Sequence, residues 1–246
     1  MSEPDLGELL GVGKEAEVFA CGAVVLKLYK PTAPKRSAFR EAAILAMVES
    51  FGLPVPIVHG VRQVGDRWGV LMSRVEGPPF AEAMTREAET LPSRLVRMAQ
   101  LHLQVHSQPA TQLASLKARL EANIRRASML GELRRNRLLA ELAAMPDGGS
   151  LCHGDFHPYN IMGPFGREVL IDWLDTSRGE PAADVCRSYV LLRPTAPDLA
   201  SAYVDRYAQM SGESRDAILR WLPFVAAARL AEGVPETDEL MQMANG

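Results

Sequence analysis

Residues 151–175, LCHGDFHPYNIMGPFGREVLIDWLD, hold the densest set of side chains able to do chemistry. His153, Asp155, His157 and Asn160 fall within eight positions, and Asp172 follows the apolar run Val169, Leu170, Ile171. Between them lies a turn-rich piece containing Gly163, Pro164 and Gly166. The pattern predicts two acid-bearing loops, each launched from a short strand and brought side by side by the turn. Phosphoryl transfer needs such a layout: one carboxylate to receive a hydroxyl proton, and an amide with a second carboxylate to hold Mg²⁺ on the phosphates. A His-Gly-Asp triplet alone is also a common turn, its Asp bonding its own backbone. A metal cluster of Cys152, His153 and Asp155 lacks a C-x-x-C or H-E-x-x-H frame.

The elements that must position these groups come first in the chain. Residues 8–29 read as strand, turn, strand, turn, strand, with Gly11 and Gly13 in the first turn and Gly22 in the second. No G-K-[ST] opens a helix there, so this is not a Walker loop. It is either a hairpin whose backbone closes over phosphates or a plain β-turn. Lys27, set among Val24, Val25, Leu26 and Leu28, points to solvent or into a cleft. Residues 35–50 carry Phe39, Ala42, Ala43, Ala46 and Met47 at helical spacing, and Glu41 lies on this helix. Gly52, Pro54 and Pro56 end it. Two strands follow (57–63 and 68–73), then a turn at Gly77-Pro78-Pro79.

Beyond that turn the chain reads as helical. A helix over 93–107 holds His102 and His106 four apart, a spacing open to metal chelation or to packing; without the Glu of H-E-x-x-H, packing is the better reading. Residues 112–145 give two helices broken at Gly131, their arginines interleaved with glutamates as on a solvated face. Pro181 fits a first helical position ahead of Asp184. Residues 197–211 and 214–231 read as two closing helices, and the acidic tail as one more short helix.

The net charge of −3 argues against a nucleic-acid binder that works by neutralising phosphates. Three cysteines without paired spacing argue against a disulfide framework. No apolar run reaches bilayer length and the first residues are acidic, unlike a signal peptide, so a cytoplasmic protein without membrane contact is expected.

The run HGDFHPYN…IDW resembles the aminoglycoside phosphotransferase and choline kinase family, small-molecule kinases with a protein-kinase-like fold. The resemblance implies that Asp155 is the catalytic base, that Asn160 and Asp172 bind Mg²⁺, and that Lys27, paired with Glu41, meets the α- and β-phosphates of ATP. Gly11 and Gly13 then belong to the loop over the phosphates, although Ala16 stands where a third glycine is usual. Ser73 and Val75 fall in the hinge that meets the adenine edge. His157 stands where many protein kinases place a phosphate-contacting lysine, and either contacts the γ-phosphate or shapes the loop. Asp184 is the family's acid that braces the catalytic loop; Arg178 and Arg187 are candidates for bracing or for phosphate contact.

The expected architecture is therefore a bilobal α+β fold. A β-rich lobe with one helix (1–75) and a mainly helical lobe (76–246) would hold ATP between them. The expected reaction moves the γ-phosphate to a hydroxyl of a small molecule. The acidic tail, with Glu232 and Asp238, suits a cationic acceptor such as an amino sugar or amino alcohol, or is simply a solvated helix. Two alternatives differ in kind. A protein kinase needs a longer activation segment than the eleven residues between Asp172 and Asp184, and carries A-P-E. A non-catalytic nucleotide-binding module is permitted by Ala16 and by IDW in place of D-F-G. Antibiotic resistance and metabolism are not separable at this level.

Overall fold

A computed structural model describes residues 6–245. The chain forms two compact units. One runs up to Ala83 and takes in Tyr159–Leu174; the other holds Met84–Pro158 and the chain from Asp175 onward. The architecture is bilobal, with a β-sheet lobe carrying one long helix and a mostly helical lobe.

In the first unit, β1 (Leu9–Val12), β2 (Ala16–Cys21), β3 (Val24–Tyr29), β4 (Val58–Val64) and β5 (Arg67–Ser73) form an antiparallel sheet in the order β1-β2-β3-β5-β4. β3 is central, and Lys27 pairs with Val18 on one side and Val70 on the other. Side chains alternate along a strand, so Leu26 and Leu28 share one face while Val25, Lys27 and Tyr29 share the opposite one. Helix α1 (Lys35–Ser50) packs on β4 and β5. Its buried stripe is Ala38, Glu41, Ile44, Leu45 and Val48, not the expected Phe39-led set; Phe39 is exposed beside Trp68. Ala38 packs with Ala16, Tyr29 and Val70, and Glu41 lies three residues on along the same buried face. Gly11 also departs from expectation. It lies within β1 opposite Val18, and only Gly13 is in the turn, its N–H bonded to Ala16 O at 2.8 Å.

The second unit contains α3 (Leu91–His106), which follows the short α2 (Phe80–Arg86), then α4 (Leu116–Arg126) and α5 (Glu132–Ala143). After β6 (Ser150–Cys152) the chain leaves for the first unit, where β7 (Ile161–Met162) pairs with β8 (Val169–Leu170). It returns at β9 (Ser177–Gly179), which pairs with β6. Helices α6 (Pro181–Leu192), α7 (Pro197–Ser211), α8 (Arg215–Leu219), α9 (Leu222–Arg229) and α10 (Thr237–Asn245) complete it. The single helix expected over 214–231 is two, because Pro223 cannot donate within a helix interior and sits in the first turn of α9 instead. The core of this unit gathers α3 on α7, α6 on α7 and α9, and α4 on α9.

Candidate active site

Two clusters are built, one in each unit. In the first, the Lys27 ammonium lies 2.7 Å from Glu41 Oε1 and 2.8 Å from Asp172 Oδ1. Burial alone would lower the Lys27 pKa, but the charges of Glu41 and then Asp172 outweigh it, so the amine is held charged well above its ordinary range. An ammonium has three N–H donors, and these two carboxylates take two of them. Glu41 is 3% exposed, so its charge rests on its partners and not on water.

Asn160 and Asp172 meet through the β7–β8 pair. Ile161 faces Leu170 in register, and Ile171 N–H donates to Asn160 O at 3.0 Å, which sets the amide-bearing residue beside the strand end that delivers Asp172. Asp172 has φ of 62°, a left-handed backbone that Asp tolerates better than most residues and that turns its carboxylate toward Lys27. At the hinge, Ser73 N–H donates to Ile57 O and Ser73 Oγ accepts from Ile57 N, both at 2.9 Å. Among the described residues, Val75 N–H has no main-chain acceptor. Ser73 and Val75 line a cavity of about 300 Å³ with Pro56, Pro164 and Val169.

In the second unit the loop after β6 is fastened from below by Asp184. Its carboxylate accepts from His153 N–H at 2.7 Å, Gly154 N–H at 2.9 Å, His102 Nε2 at 3.0 Å and His106 Nε2 at 3.2 Å. Burial would raise the Asp184 pKa; the hydrogen bonds from His102 and His106 outweigh it and hold it well below the carboxylate range. An ionised carboxylate only accepts, so both histidines donate through Nε2 and keep Nδ1 as acceptor. Tyr203 and Tyr207 hydroxyls meet those Nδ1 atoms at 2.5 and 2.7 Å. The three donor atoms of His102, His106 and Asp184 converge within 4.8 Å, as a metal site would require. The hydrogen bonds already account for every one of them, so the histidines serve as packing, as the sequence reading preferred. Phe156 of the loop stacks on His102, with ring centroids 3.9 Å apart.

Asp155 therefore stands on a rigid base. His157 Nε2 is 3.4 Å from its Oδ2. Burial would raise the Asp155 pKa, yet the hydrogen bond and charge of His157, then the charges of Arg187 and His153, hold it below the usual carboxylate range. Gly154 has φ of +83°, and a Cβ there would lie 2.3 Å from Asp175 O, so this position must be glycine. Arg187 Nε donates to Gly154 O, and its NH1 meets Glu232 Oε1 at 2.8 Å. Arg178 bonds Gly148 O at 2.9 Å and Asp147 at 3.0 Å. Both arginines thus brace loops.

A family model described as the phosphotransferase enzyme family matches residues 8–222. The chain belongs to this family. Solved structures share the phosphotransferase fold at low identity. One is a thermostable mutant of aminoglycoside phosphotransferase APH(4)-Ia in ternary complex with AMP-PNP and hygromycin B. It is 15% identical with a TM-score of 0.74, covering 98% of this chain and 92% of that one. Another is the streptomycin-ATP-APH(2'')-IIa ternary complex, 17% identical with a TM-score of 0.63, covering 96% and 92%. A third is an aminoglycoside-3'-phosphotransferase of type VIII, 20% identical with a TM-score of 0.63, covering 92% and 90%. No curated protein sequence is significantly similar to the chain. Among the described residues, no helix of this phosphotransferase is long and apolar enough to cross a membrane.

The structure brings Lys27, Glu41, Asn160 and Asp172 together in the first unit, and Asp155 with His157 in the second. Glu232 is shared between Arg187 and Arg229, at 2.8 and 3.0 Å, so its charge is already matched; Asp238 is exposed on α10. Sequence reading missed Tyr29, Tyr203 and Tyr207. One signal was present for the tyrosines: a pair four apart on α7 answers the pair of histidines four apart on α3.

The histidine hub has a pH signature. Burial, then the neighbouring His106 charge, lowers the His102 pKa from 6.5 to about 3, although the Asp184 hydrogen bond acts the other way. A group depressed in the folded state contributes stability that is complete above its unfolded pKa and is lost as pH falls toward the folded value. Stability should thus decline from pH 6.5 toward pH 3, by up to ~1.4 kcal/mol per pH unit for this one proton. Urea denaturation at pH 7, 6 and 5 reads this directly, and His102→Asn should flatten the slope. A wild-type midpoint that is level from pH 7 to 5 would show that His102 is not held neutral.

Proposed function

We propose that this phosphotransferase moves the γ-phosphate of ATP to a hydroxyl of a small molecule, with Mg²⁺ held by Asn160 and Asp172. The observation that carries the reading is Lys27 set between Glu41 and Asp172, a cation fixed by two carboxylates and with a donor to spare. The donor set fits Mg²⁺, a hard ion that takes a few protein oxygens: a half-exposed carboxylate with one oxygen on Lys27, and Asn160, whose main-chain carbonyl accepts from Ile171, the residue before Asp172. When bound, the ion neutralises charge on the phosphates and draws it from the transferring group. Lys27 does the same for the non-transferred phosphates, steadied by Glu41. The Val75 N–H and its neighbour Ser73 suit the edge of a purine.

Asp155 receives the acceptor hydroxyl. Its depressed pKa keeps it ionised at any working pH, so it always offers an acceptor oxygen, and it is a weak base. That suits a loose transition state, in which the nucleophile needs orienting more than early deprotonation. His157 holds one of its oxygens and so fixes its rotamer. The cationic acceptor rests on the fold relatives that bind hygromycin B or streptomycin. Glu232 contributes less to it than a bare carboxylate would, since two arginines share it.

Asp172→Ala is expected to abolish Mg²⁺-dependent nucleotide binding, while Asn160→Ala weakens it less, because a carboxylate carries more of the ion's charge than an amide. Calorimetry with AMP-PNP, with and without Mg²⁺, decides it; equal metal dependence in wild type and Asp172→Ala removes Asp172 from the site. An ATP-consumption screen over sugars, amino alcohols and aminoglycosides then identifies the acceptor.

A further inference from the structure

We infer that Tyr29 is a positioning residue of the nucleotide site, acting through Glu41 on Lys27; this rests on the reading of Lys27 as the phosphate contact. Tyr29 is two residues beyond Lys27 on β3, so the two side chains leave the strand on the same face. Its hydroxyl donates to Glu41 Oε2 at 2.5 Å, while Lys27 donates to Glu41 Oε1 at 2.7 Å. The carboxylate is thus held at both oxygens. Without the phenol, Oε2 would be a buried acceptor with nothing to satisfy it, and the carboxylate would be free to rotate toward water and take the ammonium with it. Neither end of this arrangement is loose. Tyr29 is 2% exposed, packed with Ala16, Ala38 and Val70. Its own carbonyl and that of Leu28 accept from Arg67 at 2.8 and 3.1 Å, and Arg67 is held by Glu17 at 2.6 Å. The phenol therefore ties the fixed end of β3 to α1. The strand, the helix and the ammonium keep one geometry before any nucleotide arrives.

Burial, and after it the charge of Glu41, raises the phenol pKa far above its ordinary value, so Tyr29 remains a donor at every working pH. A phosphate-directed role differs from a merely structural one in what it discriminates. Tyr29→Phe keeps the ring and its packing and removes only the hydroxyl. It should weaken Mg·AMP-PNP binding about 5- to 20-fold, the scale of one buried hydrogen bond to a charged group, and leave adenosine binding unchanged. In the double variant with Glu41→Gln the two losses should not add, since both act on one carboxylate.

The experiment is calorimetry with Mg·AMP-PNP and ligand-observed NMR with adenosine on the two single variants and the double. A wild type that binds Mg·AMP-PNP together with a Tyr29→Phe that binds it equally well overturns the inference alone. So does an equal loss for adenosine, or strict additivity. A wild type that binds no Mg·AMP-PNP overturns the nucleotide reading, and the inference with it. If Tyr29→Phe does not fold, the wild type supplies the test. The Tyr29 hydroxyl proton must appear as a slowly exchanging, downfield resonance that moves upfield in Glu41→Gln, and its absence in the wild type overturns the inference.

Discussion

Asp184→Asn is expected to remove about 3–5 kcal/mol of folding stability, the cost of breaking a buried, charge-assisted network by changing one member. The carboxylate accepts from four donors: the His153 and Gly154 N–H groups and the Nε2 atoms of His102 and His106. An amide of the same shape offers one acceptor oxygen and turns an NH₂ group toward at least one N–H donor. Donor then faces donor at a fully buried position. The effect must also reach catalysis, because two of the four donors are the backbone of the loop that carries Asp155. Urea denaturation followed by circular dichroism measures the first effect, and turnover of the surviving folded fraction the second. A loss below about 1 kcal/mol would mean that Asp184 is not the ionised hub of this network.

Asp155→Asn should lower the phosphoryl-transfer rate by at least ~10²-fold while nucleotide affinity barely changes. The substitution keeps the size of the side chain and one hydrogen-bond acceptor. On the proposed mechanism it removes the negative charge that would orient the acceptor hydroxyl and finally take its proton. His157 sharpens the test. Placed 3.4 Å from Asp155 Oδ2, it fixes the carboxylate rotamer, so His157→Ala should cost less than Asp155→Asn and act on kcat more than on the KM of ATP. Steady-state kinetics with the acceptor found by the screen measure both. Near-normal turnover in Asp155→Asn would remove the base from the mechanism.

The sequence alone determined most of what is local. The alternation through β3 and the turn residues around it marked the strands, and the acid-amide-acid spacing from Asp155 to Asp172 marked the candidate site residues. The strand and turn signals depend on neighbours a few residues apart, which a strand or turn period exposes. The pairing of Lys27 with Glu41 was also legible, though only through the family resemblance. What misled there was the helix face. Phe39 looked like core and is exposed, whereas Glu41 lies in the buried stripe between Ala38 and Leu45. A carboxylate inside an apolar stripe is tolerable only with partners that the linear pattern does not show.

Tertiary structure alone decided those partners. Tyr29 differs from an ordinary strand tyrosine only because α1 brings Glu41 Oε2 to its hydroxyl. His102 and His106 read as a packed pair, but only the fold showed with what: Asp184, 82 and 78 residues away, takes both Nε2 atoms and α7 supplies two tyrosines for Nδ1. Glu232 read as a bare acid at the chain end until Arg187 and Arg229 were found to share it. In each case the residue type announces a charge or a hydrogen-bonding capacity. Burial then forces that capacity to be met, and the fold chooses the group that meets it from segments far apart in the chain.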